Sequence, residues 1–243
     1  MFEAESVTRR FGTVTAVDEL TLKIAPGELF CLLGANGAGK TTTINLFLGF
    51  LKPDDGMIRV GSVDPSSDPR AARAQLAYIP ENVALYPQLT GLENLKLFCD
   101  MGGTTLDSGR AVALLERTGL GAAETRRRVD GYSKGMRQKV GLAIAYARGA
   151  GGLLLDEPLS GLDPSAASEF CDELIRFCDQ GAAVLMSTHD LFRAKALGGT
   201  IGIMRSGRLV EVLKADDVDA RDLEALYLRL MRGREESAET VAA

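Results

Sequence analysis

The chain has a single histidine, four cysteines and no apolar run that approaches a membrane span. Each scarcity removes a class of function. A spanning helix needs about 20 consecutive apolar residues, and stretches such as Val140–Ala147 fall far short. If the protein serves a membrane, another chain must do the spanning. The cysteines, Cys31, Cys99, Cys171 and Cys178, match no zinc-ligand spacing. Cys171 and Cys178 lie seven apart on a predicted helix, about 10 Å along its axis, too far for a disulfide. All four read as reduced small hydrophobes in a cytoplasmic protein. Basic residues are not in excess: 28 Lys and Arg stand against 33 Asp and Glu, a formal charge of −5. No global pull toward nucleic acid or anionic lipid follows. Met1–Phe11 is mixed and charged, so no signal peptide is expected.

What is present is ordinary for a globular protein, with 46% hydrophobic and 25% charged residues over 243 positions. That length fits one large domain, expected over 1–232, and buries roughly 70–75% of the unfolded surface without staples. The polar, acidic stretch 233–243 reads as a disordered tail. Strand patterns fill 1–33, where Leu20, Leu22 and Ile24 alternate with polar residues. A helix follows from about Lys40 to Gly49, then a turn over Pro53–Gly56 and a strand over Met57–Val60. Another strand over Leu76–Ile79 is stopped by Pro80. From about 87 to 150 helical patterns dominate, a helical insertion in an α/β core. Leu153–Leu155 and Ala183–Met186 are buried strands, with a helix from Pro164 to about Cys178 between them. Thr200–Met204 and Leu209–Leu213 suggest a hairpin, and Leu223, Leu226, Tyr227 and Leu230 mark a last helix. This alternation predicts an α/β fold with a mostly parallel sheet covered on both faces.

The most informative stretch is Leu29–Thr43, LFCLLGANGAGKTTT. An apolar strand runs into Gly34, Ala35, Asn36, Gly37, Ala38 and Gly39, then Lys40, Thr41 and Thr42 open a helix. This is G-x-x-x-x-G-K-T in the strand–loop–helix context that a phosphate-binding P-loop requires. The glycines let successive N–H groups turn inward on an anion, and the helix aims its positive end at the same place. Lys40 would meet the β- and γ-phosphates of a nucleoside triphosphate, and the Thr41 hydroxyl would ligate Mg²⁺.

Three further features follow downstream. Leu153-Leu154-Leu155-Asp156-Glu157 is an apolar strand ending in two carboxylates. Beside a P-loop, Asp156 would ligate Mg²⁺ and Glu157 could act as general base on an attacking water; alone, the pair would merely cap a strand before Pro158. His189 follows the strand ending at Ser187-Thr188, where it could contact a γ-phosphate or serve structure only. Ser133, in Tyr132-Ser133-Lys134-Gly135-Met136, is a good N-cap. Its helix end could equally be a second phosphate site, with Ser133 and the Gly135 N–H as donors.

These motifs, in this order from Phe2 to Leu213, resemble the nucleotide-binding subunit of an ATP-binding cassette (ABC) transporter. Gly34–Thr41 resembles the Walker A, YSKGM the signature LSGGQ, Leu153–Glu157 the Walker B, Ser160–Asp163 the D-loop and His189 the switch histidine. Phe11 stands where the family places an aromatic ring against adenine. Two positions depart from the pattern: Lys134 replaces a glycine (and Met136 a glutamine) in the signature, and Glu81 stands where the Q-loop glutamine is usual. A carboxylate can still ligate Mg²⁺, but when ionised it cannot donate a hydrogen bond. These departures, with Leu85-Tyr86-Pro87-Gln88-Leu89-Thr90, resemble ATPases paired with ABC-2-type permeases, mostly exporters.

The resemblance implies a P-loop NTPase core with an N-terminal antiparallel β subdomain, ATP and Mg²⁺ as cofactors, and a catalytic role for Glu157 and His189. It implies two partners, a second copy paired head to tail around two ATP molecules and a transmembrane permease docked near Glu81, Leu85 and Tyr86. The protein would then sit in the cytoplasm against the membrane's inner face. The competing readings are an ABC ATPase of translation or DNA repair, and a P-loop kinase or switch protein.

Overall fold

In the computed structural model, residues 1–232 are described. The chain opens with β1 (Phe2–Phe11) and β2 (Val14–Ile24), followed by β3 (Leu29–Leu33), α1 (Lys40–Phe47), β4 (Asp55–Val60), α2 (Pro69–Ala74) and β5 (Leu76–Ile79). Four helices come next, α3 (Gly91–Met101), α4 (Ser108–Arg117), α5 (Ala122–Thr125) and α6 (Lys134–Arg148). The rest is β6 (Gly152–Asp156), α7 (Pro164–Asp179), β7 (Ala183–Thr188), α8 (Leu191–Leu197), β8 (Thr200–Arg205), β9 (Arg208–Lys214) and α9 (Ala220–Arg232).

Two sheets carry the fold. The larger has the order β5-β6-β7-β3-β8-β9. Its first five strands pair in parallel, and β8 and β9 form the antiparallel hairpin. All five residues of β3, β6's five and β7's six are buried, as strands covered on both faces must be. The smaller sheet, β2-β1-β4, is antiparallel and stands at the N-terminal side. Its apolar face shares a core with α1 and one face of the large sheet, where Phe2 meets Phe47 edge-on at 5.2 Å. The opposite face packs on α7, α8 and α9. Among the described residues, no helix is long and apolar enough to cross a membrane.

Helices α3–α6 bury a separate apolar cluster of Leu95, Leu115, Val129, Tyr132 and Val140. Local chemistry sets their ends. Thr90 and Glu93 make a reciprocal capping box at the start of α3. Ser133 caps α6 by accepting from Met136 N, and Gly149 closes that helix at φ 59°.

The structure corrects several sequence expectations. Asp55 and Gly56 belong to β4 rather than to a turn, because Glu5 and Thr8 of β1 pair with Met57 and Asp55. The P-loop helix ends at Phe47, two residues early. Helix α8 lacked a periodic signal long enough to find. Leu85, expected on an exposed docking loop, is instead buried at 8% exposure in the α3–α6 cluster; Tyr86 beside it is 43% exposed. Apolar burial pulls Leu85 inward, and Asn94 holds the loop by accepting from Tyr86 N (2.8 Å) and donating to Tyr86 O (3.1 Å). The stretch 233–243, expected to be a disordered tail, lies outside the described residues.

Candidate functional site

The site lies where the strands of the large sheet end at their carboxyl side. Strand β3 delivers the glycine loop there. Gly34 N–H donates to Thr188 O at 3.1 Å, tying the loop to the end of β7. Two of its glycines have no substitute. A Cβ on Gly34 would fall 2.5 Å from Met204 O, and one on Gly39, at φ 109°, 2.3 Å from Ala16 O. Gly39 precedes α1 with no side-chain cap, so the first-turn N–H groups of Lys40, Thr41 and Thr42 have no helical acceptor. They face a cleft of about 790 Å³ whose walls include Phe11, Asn36, Gly37, Ala38, Glu81 and Asp156.

Lys40 is 6% exposed, and its ammonium donates to Gly34 O at 2.7 Å and Ala35 O at 3.2 Å. Glu157 Oε1 stands 3.3 Å from the same nitrogen. That contact is an ion pair only, since Glu157 Oε1 is buried and makes no hydrogen bond. The other oxygen of Glu157 faces His189, with Oε2 2.9 Å from Nδ1 and 3.3 Å from the His189 backbone N–H that donates to it. Glu157 therefore sits between Lys40 and His189. It does so in a left-handed backbone conformation, φ 48°, which costs a non-glycine residue roughly 1–2 kcal/mol. Tertiary contacts hold it there: Glu157 N–H donates to Ser187 O at 3.2 Å and Ser187 Oγ at 3.0 Å.

Ser187 is the residue the sequence did not single out. Fully buried near the end of β7, it also donates its hydroxyl to Asp156 Oδ1 at 2.6 Å. A serine directly after four apolar residues of a buried strand was the available signal; its place beside Asp156 appears only once β6 and β7 pair. Asp156, so oriented, shares the cleft wall with Thr41 and Glu81. A hydroxyl and two carboxylates are hard oxygen donors that suit Mg²⁺, which is commonly held by one or two carboxylates with phosphate oxygens and water completing its shell. The donor set fits that ion.

Phe11 ends β1 at the cleft mouth, 46% exposed. The Arg9 guanidinium lies over its ring at 4.8 Å. The structure thus brings together Phe11, the glycine loop, Lys40, Thr41, Thr42, Glu81, Asp156 and Glu157, with His189 bonded to Glu157. Ser133 and Gly135 do not line this cleft; they lie at the start of α6, Ser133 exposed and Gly135 buried. Asp163 caps α7 through Ala166 N, and Arg193 joins that turn to α8 by donating to Leu159 O and Leu162 O at 3.0 and 3.2 Å.

Comparison with known proteins gives a consistent result. Residues 17–160 match the family model described as ABC transporter. The bacitracin transport ATP-binding protein BcrA of Enterococcus faecalis is 33% identical over 223 residues, 91% of this chain and 72% of that protein. The Nod factor export ATP-binding protein I of Paraburkholderia xenovorans is 36% identical over 210 residues, 86% and 69% of the two chains. Among solved structures, the ATP-binding subunit of an ABC transporter superposes with a TM-score of 0.83 at 29% identity, covering 96% of this chain and all of that one.

Proposed function

The chain belongs to the ABC transporter family as its ATP-binding, ATP-hydrolysing subunit, and we propose that it powers an exporter by closing on ATP with a second copy of itself. Relatives named for bacitracin transport and Nod factor export support the exporter class. In this reading the P-loop amides and Lys40 bind the phosphates, the free face of Phe11 stacks on the base, and Ser133 with the Gly135 N–H meets the γ-phosphate of ATP held by the other copy. Thr41, Asp156 and Glu81 would hold Mg²⁺, which neutralises charge on the β- and γ-phosphates. Its permease partner would dock on the α3–α6 side near Tyr86, placing the protein against the inner face of the membrane.

The observation that carries the reading is Glu157, poised between Lys40 and His189. When a triphosphate draws the ammonium onto its oxygens, Glu157 keeps its anchor to β7 through Ser187 and remains free to take a proton from an attacking water. His189 orients that carboxylate. Ser187 holds Asp156 and Glu157 on one rigid strand end, so that metal and base keep their spacing.

Glu157→Gln tests this. The substitution keeps size and removes the base, so hydrolysis falls roughly 10²–10⁴-fold while ATP binding survives. The protein then runs as a dimer with ATP and a monomer without it in size-exclusion chromatography with light scattering. Adding Ser133→Arg restores the monomer. Hydrolysis at the parental rate removes Glu157 from the chemistry; a slow variant that stays monomeric with ATP removes the two-copy closure of the isolated subunit.

A further inference from the structure

The chain departs from its family's pattern at Glu81 and at Lys134, and the fold sets those two side chains against each other. Lys134 Nζ lies 3.4 Å from Glu81 Oε1, across 53 residues of sequence. The same helix grips the same turn in a second way. Gln138, one turn along α6 and fully buried, donates through Nε2 to Pro80 O at 3.3 Å and Glu81 O at 3.0 Å. The two grips differ in kind. The Gln138 bonds are part-buried and go to backbone. The carboxylate's bond is a half-exposed ion pair, with the Glu81 and Lys134 side chains 49% and 25% exposed. Such a pair is weak, and a ligand in the cleft can compete for it.

Glu81 also lines the nucleotide cleft, with Thr41 and Asp156. One carboxylate thus answers two cationic claims, the ammonium of α6 and the metal that accompanies a nucleotide. We propose that Glu81 and Lys134 form a positioning switch: Lys134 holds the Glu81 carboxylate to α6 until Mg²⁺-nucleotide draws it into the cleft, so loading the cleft loosens the hold of α6 on the core while the Gln138 bonds keep the turn in place. The inference rests on the nucleotide site proposed above. Because linkage is reciprocal, Lys134 must oppose the binding of Mg²⁺-nucleotide by as much as Mg²⁺-nucleotide weakens the ion pair. A neutral glycine at position 134, as the family pattern has it, would make no such opposition.

The test is a titration of a non-hydrolysable ATP analogue, with and without Mg²⁺, on the parental protein, Lys134→Gln, Glu81→Gln and the double variant. The quantity read is the factor by which Mg²⁺ tightens binding. Lys134→Gln raises it roughly two- to fivefold, the range of an exposed ion pair, because Glu81 has lost its competitor. Glu81→Gln lowers it. In the Glu81→Gln background, Lys134→Gln changes nothing further. A Mg²⁺ effect that ignores Lys134, or that Lys134→Gln shifts equally in both backgrounds, overturns the switch and leaves the ATP site standing. A parental protein that does not bind the analogue at all overturns both.

Discussion

Ser187 Oγ donates to Asp156 Oδ1 at 2.6 Å, and this hydrogen bond couples the end of β7 to the end of β6 where the candidate metal ligand and base emerge. The same hydroxyl accepts from Glu157 N–H at 3.0 Å. One small side chain therefore sets two carboxylates with no contact to the cleft of its own.

Ser187→Ala is expected to cost about 1–3 kcal/mol of stability, since a buried acceptor loses its donor. The larger expected effect is functional. Loss of a residue that orients a metal ligand weakens metal affinity on the order of tenfold or more, so the Mg²⁺ concentration that half-activates hydrolysis should rise. Thermal unfolding and a Mg²⁺ titration of ATPase rate check the two effects. A variant with unchanged Mg²⁺ dependence would reduce Ser187 to a core residue.

Leu85 and Tyr86 are adjacent but should behave differently. Leu85 fills the α3–α6 cluster, so Leu85→Ala is expected to lower stability by about 2–4 kcal/mol. Tyr86 keeps one face in solvent and reaches Phe98 at 6.0 Å between ring centroids; Tyr86→Asp should cost roughly 1 kcal/mol, the worth of that ring pair. Urea midpoints separate them. Only Tyr86→Asp then tests permease docking, by transport lost at preserved ATPase activity.

Burial pushes every thiol up: Cys171 to about 11, Cys178 to about 12, and Cys31 and Cys99 also above the ordinary range. The reactive thiolate appears only as pH approaches the raised pKa, so at pH 7.5 its share at Cys171 and Cys178 is on the order of 10⁻³ or less. Iodoacetamide should label the folded protein very slowly at pH 7.5 and all four cysteines rapidly in denaturant. Raising the pH toward about 11 should bring Cys171 forward ahead of Cys178. Fast labelling of the native protein at neutral pH would show these side chains to be more open than their burial indicates.

The parts of the site that sequence reasoning reached are those written in short-range code. Lys40 follows Gly39 because the helix must start there, and Asp156-Glu157 follow three leucines because the strand must end there. Burial on both faces made β3, β6 and β7 visible as unbroken apolar runs. What stayed hidden depends on pairing at a distance. Ser187 matters only because β7 lies beside β6. Lys134 and Glu81 could be seen as two separate departures, but not as partners. Leu85 read as a surface residue because a loop without periodicity does not reveal which way it folds, and Asp55 joined a strand because β1 was there to pair with it.

Strand β3 lies between β7 and β8, pairing Leu29 with Val184 and Phe30 with Thr200. The paired residues are thus made 155 and 170 residues after their β3 partners. At about 5–20 residues per second of synthesis, a nascent chain carries the apolar run LFCLL with both hydrogen-bonding edges open for on the order of 10–30 seconds. During that interval the glycine loop has no Thr188 carbonyl to fasten its first amide, and Lys40 has no Glu157 opposite. The glycine loop is therefore fastened late: the pocket takes its described form only once β7 and β8 have left the ribosome, and until then β3 is an apolar strand that needs shelter from other chains.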